Sequence, residues 1–405
     1  MSINEQKRIK INAGLLVESN YDFKMNLPED IIMLFTLFKK HNKKLYIVGG
    51  AVRDALLGKI PKDIDVVTDA LPNEVENLLT AENIYNFPSG KNFGIISAVI
   101  NDETYEIATF RSDNYTDSAD GRRPDSITFA SMEDDAKRRD FTINALYYDI
   151  DEKKVIDLVG GVEDLKNKKI KPVGNAHDRF TEDRLRTLRA LRFAHRFGST
   201  LDKETIDAII HFKDLPGVSS ERIRDEFIKS LHSSQKPEEF LEQFLKLGLG
   251  PRVFGNIKLD TRHVSELRHP VLVLAKLLWN NDVISIQNSL INFKTPKNEI
   301  DGVLFLKNIH DRFKDFDKLT FDPIIDGKWL MILIKNKNLL FQNNVLTKYE
   351  ILLWSKIMNL PLNVINAFIN YVPTVTALNF PDIAPGKELG EKIILGNANN
   401  FIKSF

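Results

Sequence analysis

Hydrophobic and polar residues follow two different patterns along the chain. The first third contains short apolar runs bounded by turn residues, a pattern that predicts β-strands. These runs cover 45–48, 64–68, 94–100 and 104–110. Apolar residues at helical spacing over 26–41 and 51–57 predict helices between the strands. This part of the chain is therefore predicted to be an α+β domain.

From Thr181 onward, nearly all of the sequence follows the helical period. The predicted helices cover 181–197, 202–212, 219–233, 237–247, 263–280 and 299–315, with more in 328–371. Thr181 is expected to cap the first of them. Between the two regions, 112–126 is polar and has no period, so it is predicted to be a loop. We therefore expect an α+β head followed by an all-helical remainder.

Length and composition restrict the class of protein. A chain of 405 residues is too long for one ordinary core, so several domains are expected. The absence of cysteine excludes disulfides, thiol catalysis and cysteine-bound zinc, and it fits the reducing cytoplasm. No apolar run approaches the roughly 20 residues of a membrane span. The first 23 residues lack the order of a secretory signal.

The net charge is zero, but the charges are distributed unevenly. Residues 1–150 carry 18 basic and 24 acidic residues, whereas 166–196 carry ten basic and three acidic residues. An acidic first part followed by a basic segment suggests metal-assisted chemistry beside a polyanion-binding surface. The alternative is that these charges lie on solvated helix faces.

A glycine pair and two aspartates form the first group of candidate residues. Gly49–Gly50 lies between a predicted strand and a predicted helix, where glycines let backbone N–H groups approach a phosphate. Asp63 and Asp65 are two apart in a predicted strand, so their carboxylates are expected on one face. Two hard oxygen donors there suit Mg²⁺ held together with substrate phosphates. Glu106, on a later strand, is a candidate third carboxylate.

An aspartate–arginine stripe forms the second group. Four residues recur every three positions over 181–197 and predict a slanted stripe on one helix: Asp183, Arg186, Arg189 and Arg192. A carboxylate accepts from an exocyclic amine, and a guanidinium donates to a ring acceptor. Such a pair matches the edge that cytosine and adenine share, whereas guanine and uracil present the opposite polarity. The alternative is an ordinary basic amphipathic helix.

Several motifs in a fixed order resemble one family. The twelve residues between Gly50 and Asp63 resemble the spacing in the DNA polymerase β-like nucleotidyltransferase superfamily. Residues 182–193, Glu-Asp-Arg-Leu-Arg-Thr-Leu-Arg-Ala-Leu-Arg-Phe, resemble the base-reading motif of class II CCA-adding enzymes and bacterial poly(A) polymerases. Residues 138–145 resemble that family's ribose motif, and 157–161 resemble its head–neck hinge. The resemblance is strong over about 25–235.

The resemblance implies a role for each matching residue. Asp63 and Asp65 would bind the catalytic Mg²⁺. The nucleotide-binding residues would be Gly50, Arg53, Arg139, Asp140, Asp183, Arg186, Arg189 and Arg192. Among them, Asp183 and Arg186 would read the base, and Asp140 would approach the ribose.

The resemblance also implies an activity. We expect the chain to add C, C and A to the 3′ end of tRNA in the cytoplasm, using CTP, ATP and Mg²⁺, with no membrane and no obligate protein partner. A poly(A) polymerase with the same chemistry is the first alternative, and an inactive RNA-binding module is the second. The implied domains are an N-terminal extension (1–24), a polymerase β-like head (25–155), a neck (156–235), a body (236–327) and a tRNA-binding tail (328–405).

The predicted loop over 113–126 has an expected role in changing from C to A addition. One pocket must accept two bases of different size, and an aperiodic loop can change conformation at low energetic cost. We therefore predict that deletion of Asp117–Asp120 leaves C addition nearly normal and stalls the product at CC. Sequencing of RNA 3′ ends made by the folded deletion variant measures this. Efficient terminal A addition would contradict the role, and a passive connection is the alternative.

Overall fold

A computed structural model describes residues 19–114, 126–317 and 319–404. Most of the expected N-terminal extension and of the loop over 113–126 therefore lies outside the described residues. The chain divides into two compact units. Unit 1 contains the residues up to Arg222 together with Lys229–Gln235, and unit 2 contains Ile223–Ile228 and Lys236–Phe405. No helix in the described ranges is both long and apolar enough to cross a membrane.

Unit 1 is built on a mixed β-sheet. The strands of unit 1, in chain order, are β1 (Ser19–Asp22), β2 (Leu45–Val48), β3 (Asp65–Thr68), β4 (Tyr85–Gly90), β5 (Ile95–Ile100), β6 (Glu103–Thr109), β7 (Arg111–Asn114), β8 (Ser126–Phe129), β9 (Leu146–Asp149), β10 (Lys154–Asp157), β11 (Lys169–Ile170) and β12 (Thr200–Leu201). Eight of them form one sheet in the order β1-β10-β9-β2-β3-β6-β5-β4. Within it β3 and β6 are parallel, and the other neighbours are antiparallel.

The central strand β2 is apolar at all four positions because the sheet is covered on both faces. Ile47 packs into the cluster that includes Leu34 and Phe38. Tyr46 and Val48, on the opposite face, pack into a second cluster. The mixed sheet with helices that was predicted for the head is confirmed.

Some helices of unit 1 lie between the strands of this sheet along the chain, and others follow its last strand. They are α1 (Glu29–Lys40), α2 (Gly50–Leu56), α3 (Pro72–Ala81), α4 (Met132–Arg138), α5 (Gly161–Lys166), α6 (Ala176–Glu182), α7 (Arg186–Phe197), α8 (Lys203–His211) and α9 (Ser220–Ser233), whose residues are divided between the units. A 3₁₀ turn at Thr142–Asn144 precedes β9.

The single helix predicted over 181–197 is wrong, because the chain leaves the helical conformation at Asp183 (φ −145°, ψ 102°). The Asp183 carboxylate accepts a hydrogen bond from the Leu185 backbone N–H at 3.1 Å, which competes with helical bonding. Thr181 does not cap a helix, because it lies inside α6 and donates to the His177 carbonyl at 2.9 Å. Asp183 therefore precedes α7, and the three arginines of the stripe lie on it.

Two strands overlap the ends of the polar segment predicted as a loop. Strands β7 and β8 pair in an antiparallel register from Arg111↔Phe129 to Asn114↔Ser126. The sequence did not indicate them because β7 has no apolar residue and β8 has only two, Ile127 and Phe129. Residues 115–125 lie outside the described part of the chain.

Unit 2 is helical. Its helices are α10 (Pro237–Lys246), α11 (Gly250–Phe254), α12 (Pro270–Leu278), α13 (Val283–Asn292), α14 (Lys297–Phe313), α15 (Asp326–Gln342), α16 (Lys348–Ile357), α17 (Leu362–Asn370) and α18 (Lys387–Ile402). The predicted all-helical remainder is confirmed for the described residues. The helix predicted over 263–280 begins only at Pro270, because proline suits the first helical turn and not the interior.

A tight turn after β10 supports the segment that carries the ribose motif. The buried Asp157 carboxylate accepts four backbone N–H groups, from Val159 to Val162, at 2.9–3.1 Å. Within this turn, a Cβ added at Gly161 would lie 2.1 Å from the Thr142 carbonyl oxygen. Only glycine therefore lets the turn approach the Thr142–Asn144 backbone this closely.

We predict that Gly161→Ala destabilises unit 1 by about 1–3 kcal/mol, because the new methyl group overlaps a backbone atom that cannot move alone. Gly390→Ala is the control. A Cβ at Gly390 meets nothing within 4 Å inside α18, so alanine should stabilise by about 0.5–1 kcal/mol. Urea unfolding of the two variants and the parent measures both effects. A Gly161→Ala variant with the parent midpoint would contradict the close contact.

Candidate active site

The two candidate metal ligands lie at the start of β3. The strand begins at Asp65, and Asp63 precedes it in an exposed bend, so the expectation that both occupy one strand face is wrong. The two carboxylates are nevertheless close enough to interact. Asp65 is exposed at the cleft edge, but neighbouring protein atoms exclude part of the water around its carboxylate and so raise its pKa. The Arg139 guanidinium opposes this shift, and the charge of Asp63 adds to it.

This pair fits a divalent cation. Two neighbouring carboxylates repel each other and offer hard oxygen donors, which are the ligands that such ions prefer. Among the described residues, no group of three or more His, Cys, Asp or Glu could hold a metal ion. The remaining ligands would therefore come from water and substrate phosphates.

Glu106, the candidate third carboxylate, lies on β6. It precedes Ile107, which pairs with Val66, so Glu106 is level with Asp65 on the neighbouring strand. Its side chain is exposed. A role for Glu106 in metal binding stays a prediction.

Beside Asp65 is a cleft of about 440 Å³ that brings the sequence-predicted nucleotide-binding residues together. All eight of them line it. The full lining is Gly49, Gly50, Arg53, Asp65, Asp113, Arg138, Arg139, Asp140, Asn144, Asp183, Arg186, Arg189, Arg192, Phe193 and Arg196. Seven arginines and four aspartates therefore face one cavity, which suits a polyanionic ligand.

The glycine turn brings backbone and guanidinium groups to the cleft wall. Gly49 has φ +74°, a conformation that favours glycine, and it immediately precedes α2. A Cβ at Gly49 would lie 3.5 Å from Arg139 Nη1, and one at Gly50 would lie 3.5 Å from Arg53 Nη2. Both guanidinium groups therefore lie against the glycine turn.

A chain of hydrogen bonds joins the head to α7 across the cleft floor. Arg53 Nη1 donates to Asn144 Oδ1, and Asn144 Nδ2 donates to Asp140 Oδ1 at 3.0 Å. Asp140 Oδ2 accepts from Arg189 Nε at 2.9 Å. Burial acts to raise the pKa of Asp140, but Arg189 and the hydrogen bond from Asn144 outweigh it and lower this pKa to about 2. Asp140 is therefore ionised at neutral pH and holds Arg189.

A buried carboxylate that the sequence analysis did not select holds the arginine pair of the ribose motif. Asp135 Oδ1 accepts from Arg138 Nη2 at 2.6 Å, and Asp135 Oδ2 accepts from Arg139 Nη2 at 2.9 Å. The Tyr147 hydroxyl donates to the same carboxylate at 2.8 Å. The i, i+3 and i+4 spacing of these charges on α4 was the signal available in the sequence.

The two predicted base-reading residues have separate partners. Asp183 Oδ2 accepts from Arg222 Nη2 at 2.9 Å. Arg186 donates to Glu182 Oε2 at 2.7 Å and to the Arg138 carbonyl at 3.2 Å. Both residues still line the cleft, but Asp183 is held from α9, a contact that the sequence did not predict.

Comparison with known proteins gives matches to CCA-adding enzymes and poly A polymerases over part of the chain. Residues 45–171 match the model of the poly A polymerase head domain, and 198–258 match that of the probable RNA and SrmB-binding site of polymerase A. The CCA-adding enzyme of Bacillus subtilis is 46% identical over 188 residues, 46% of each chain.

Two solved structures share the fold along almost the whole chain. The Bacillus stearothermophilus CCA-adding enzyme in complex with CTP has a TM-score of 0.65 and 23% identity, covering 93% of this chain and 94% of the other. The Thermotoga maritima CCA-adding enzyme complexed with tRNA has a TM-score of 0.61 and 18% identity, covering 93% and 92%.

The resemblance to class II CCA-adding enzymes and bacterial poly(A) polymerases is confirmed. Nucleotidyltransferases of this kind generally use a divalent metal. The sequence alignments span about half the length of the curated relatives that the chain matches. The solved structures extend the resemblance of fold over unit 2.

If Asp183 reads the base as the family resemblance implies, Asp183→Ala should lose a preference for CTP and ATP over UTP and GTP, because the group that would accept from the exocyclic amine is gone. Each lost contact should cost about 1–3 kcal/mol. Arg222→Gln should cause a smaller loss, because the carboxylate remains but is no longer held.

The measurement is kcat/KM for the four nucleotides, with Glu221→Gln, an exposed change on the same helix, as the control. Equal weakening of all four nucleotides by Asp183→Ala would show that Asp183 has only a structural role.

Proposed function

We propose that this chain adds C, C and A to the 3′ end of tRNA, using CTP and ATP and releasing pyrophosphate. The observation that carries the proposal is the placement of Asp65, beside Asp63, at a cleft whose wall combines seven arginines with Asp183. The CCA-adding enzymes that resemble it in sequence, and the solved structures of such enzymes with CTP and with tRNA, support it.

The proposed reaction is an in-line displacement. The 3′-hydroxyl of the RNA attacks the α-phosphate, the bond to the β-phosphate oxygen breaks, and pyrophosphate leaves. Asp63 and Asp65 would hold Mg²⁺, which when bound activates a hydroxyl and neutralises developing phosphate charge. The protein itself supplies positioning and charge stabilisation.

The arginines of the cleft would contact the triphosphate from different elements of the fold. Arg53 and Arg139 flank the glycine turn and would contact the triphosphate. Arg189, fixed by Asp140, and Arg192 would meet it from α7. Asp140 accepts a hydrogen bond from Asn144 on the floor of the cleft, and we place the ribose there.

Asp183 and Arg186 would select the base of the incoming nucleotide. The Asp183 carboxylate accepts from the amine of cytosine or adenine, and the Arg186 guanidinium donates to the neighbouring ring acceptor. Glu182 and the Arg138 carbonyl fix the Arg186 side chain before nucleotide binds, which lowers the cost of ordering it.

We also propose the larger organisation that the resemblance implies. The head (25–155), neck (156–235), body (236–327) and tail (328–405) would act in the cytoplasm, with the helical segments holding the tRNA acceptor arm by shape and phosphate contacts. No obligate protein partner is proposed. Glu106 is the proposed third carboxylate.

Poly(A) addition is the second candidate, because the head matches the poly A polymerase head domain. The carboxylates and the arginines serve both reactions equally. The two candidates differ in the product, since CCA addition stops after one A and requires a tRNA end, whereas poly(A) addition does neither.

The test incubates purified protein and Mg²⁺ with tRNA lacking CCA, and with an unrelated RNA, in CTP, in ATP and in both. We predict CC in CTP alone and CCA in both, with little extension of the unrelated RNA. Asp63→Ala and Asp65→Ala should abolish addition and leave tRNA binding nearly intact, because these carboxylates face metal and not the acceptor stem.

Glu103→Ala, an exposed carboxylate change on β6, is the matched control and should leave addition unchanged. Sequencing of the 3′ ends gives the product. Long A tracts on unrelated RNA would favour the poly(A) reaction. No extension of either RNA by the parent would favour an inactive RNA-binding module. Extension at the parent rate by an Asp63→Ala, Asp65→Ala double variant would overturn the metal assignment.

A further inference from the structure

Two phenyl rings on α7 lie beside cationic side chains of the cleft. Phe193 and Phe197 are one helical turn apart, with ring centroids 6.0 Å apart and planes 6° from parallel. Phe193 is only 4% exposed, yet it contributes to the cleft wall. Phe141 packs edge-on against it at 5.5 Å and fixes its ring from the head.

The faces of these two rings hold five cationic side chains. Over Phe193, the guanidinium carbons of Arg192, Arg189 and Arg53 lie 4.3, 5.5 and 5.6 Å from the ring centroid. Over Phe197, Arg53 and Arg196 lie at 4.7 and 5.1 Å, and Lys59 Nζ lies at 5.6 Å. All these distances are within the roughly 6 Å range of cation–π attraction.

A ring face and a carboxylate constrain an arginine differently. A carboxylate accepts from the N–H groups at the edge of the guanidinium plane and so occupies donors that a phosphate would need. A ring attracts the cation by its quadrupole through the flat face, and the donors in the plane stay available. Aromatic support therefore adds to the carboxylate contacts that Arg53 and Arg189 make with Asp54 and Asp140, and it occupies no further donors.

The like charges in this region make such support useful. Burial lowers the pKa of Arg53, Asp54 opposes this shift, and the charge of Arg196 adds to it. Asp54 is shared, because it accepts from Arg53 Nε at 2.8 Å and lies 3.4 Å from Arg196 Nη2. More carboxylates would reduce the repulsion, but they would also reduce the positive charge offered to a triphosphate.

We infer that Phe193 and Phe197 are positioning residues for the nucleotide triphosphate: through cation–π contacts they help to hold Arg53, Arg189 and Arg192 at the cleft wall, where the phosphates would bind. This inference rests on the proposed function, because it takes the ligand of the cleft to be a nucleoside triphosphate. The rings act through the arginines and do not themselves touch the reacting atoms.

The test replaces Phe193 or Phe197 singly with mono-, di- and trifluorophenylalanine. Fluorine withdraws charge from the ring face while the side chain keeps nearly the same volume, so packing is retained. The same series at Phe180, a buried core residue of unit 1, is the control. Affinity for inorganic tripolyphosphate, measured by calorimetry, and kcat and KM for CTP and ATP are the readouts.

We expect the trifluoro variant at either ring to weaken tripolyphosphate binding and raise KM by about two- to fivefold, in proportion to fluorination and with kcat little changed. The Phe180 series should change neither. A fall in kcat at constant KM, or equal effects at Phe180, would show that the rings act only through packing and would overturn the inference. The two sites are independent, so misfolding at one leaves the other as a test.

The same experiment separates this inference from the proposed function. If the parent extends tRNA and the series leaves both KM and tripolyphosphate affinity unchanged, the positioning inference alone is wrong. If the parent extends no RNA, the proposed function is wrong, and tripolyphosphate binding still decides whether the rings position the arginines.

Discussion

The convergence of seven arginines on one cleft is the constraint around which unit 1 is organised. Partly buried like charges repel one another over short distances, and water screens them incompletely. Buried or partly buried carboxylates therefore hold several of these arginines, and some carboxylates hold two. Asp135 holds Arg138 and Arg139, and Asp140 holds Arg189. These carboxylates lie behind the cleft or on its floor, so the net charge that faces a ligand stays positive.

The fold supplies these supports from elements that are far apart in sequence. Asp135 comes from α4, and Tyr147, which shares its carboxylate, comes from β9 in the sheet. The turn closed by Asp157 packs Gly161 against the Thr142 carbonyl, next to Asn144. A change in this turn would therefore displace the Arg53–Asn144–Asp140 chain, although it touches no ligand. Such over-determination is what a site needs to hold several arginines in fixed orientations.

Local patterns in the sequence predicted the parts of the site that depend on local structure. The glycine turn at Gly49 lies between β2 and α2 as expected, because a positive φ there follows from residue type. The eight candidate nucleotide-binding residues line one cleft. Helical spacing selected Asp183, Arg186, Arg189 and Arg192, the glycine pair selected Gly50, and the family resemblance implied Arg53, Arg139 and Asp140.

Tertiary contacts decided the features that the sequence did not predict. Asp183 breaks the helix because its carboxylate bonds the Leu185 N–H and is held by Arg222, 39 residues away. Helical periodicity continues through such a break, since it detects apolar spacing and not backbone bonding. Strand β7 has no apolar residue, and the alternation in β8 is limited to Ile127 and Phe129, which is too short to identify a strand. In the sequence, Asp135 and Phe193 do not differ from ordinary helix residues, because only the folded structure shows the arginines around them.

The proposed function requires the arginine cleft to bind a nucleoside triphosphate with its base at Asp183 and its phosphates beside Asp65. The position of CTP in a crystal structure of the complex would test this. We expect phosphate oxygens within hydrogen-bond distance of Arg53, Arg139 or Arg189, and the cytosine amine within that distance of the Asp183 carboxylate. A triphosphate bound elsewhere, or a base turned away from Asp183, would contradict it.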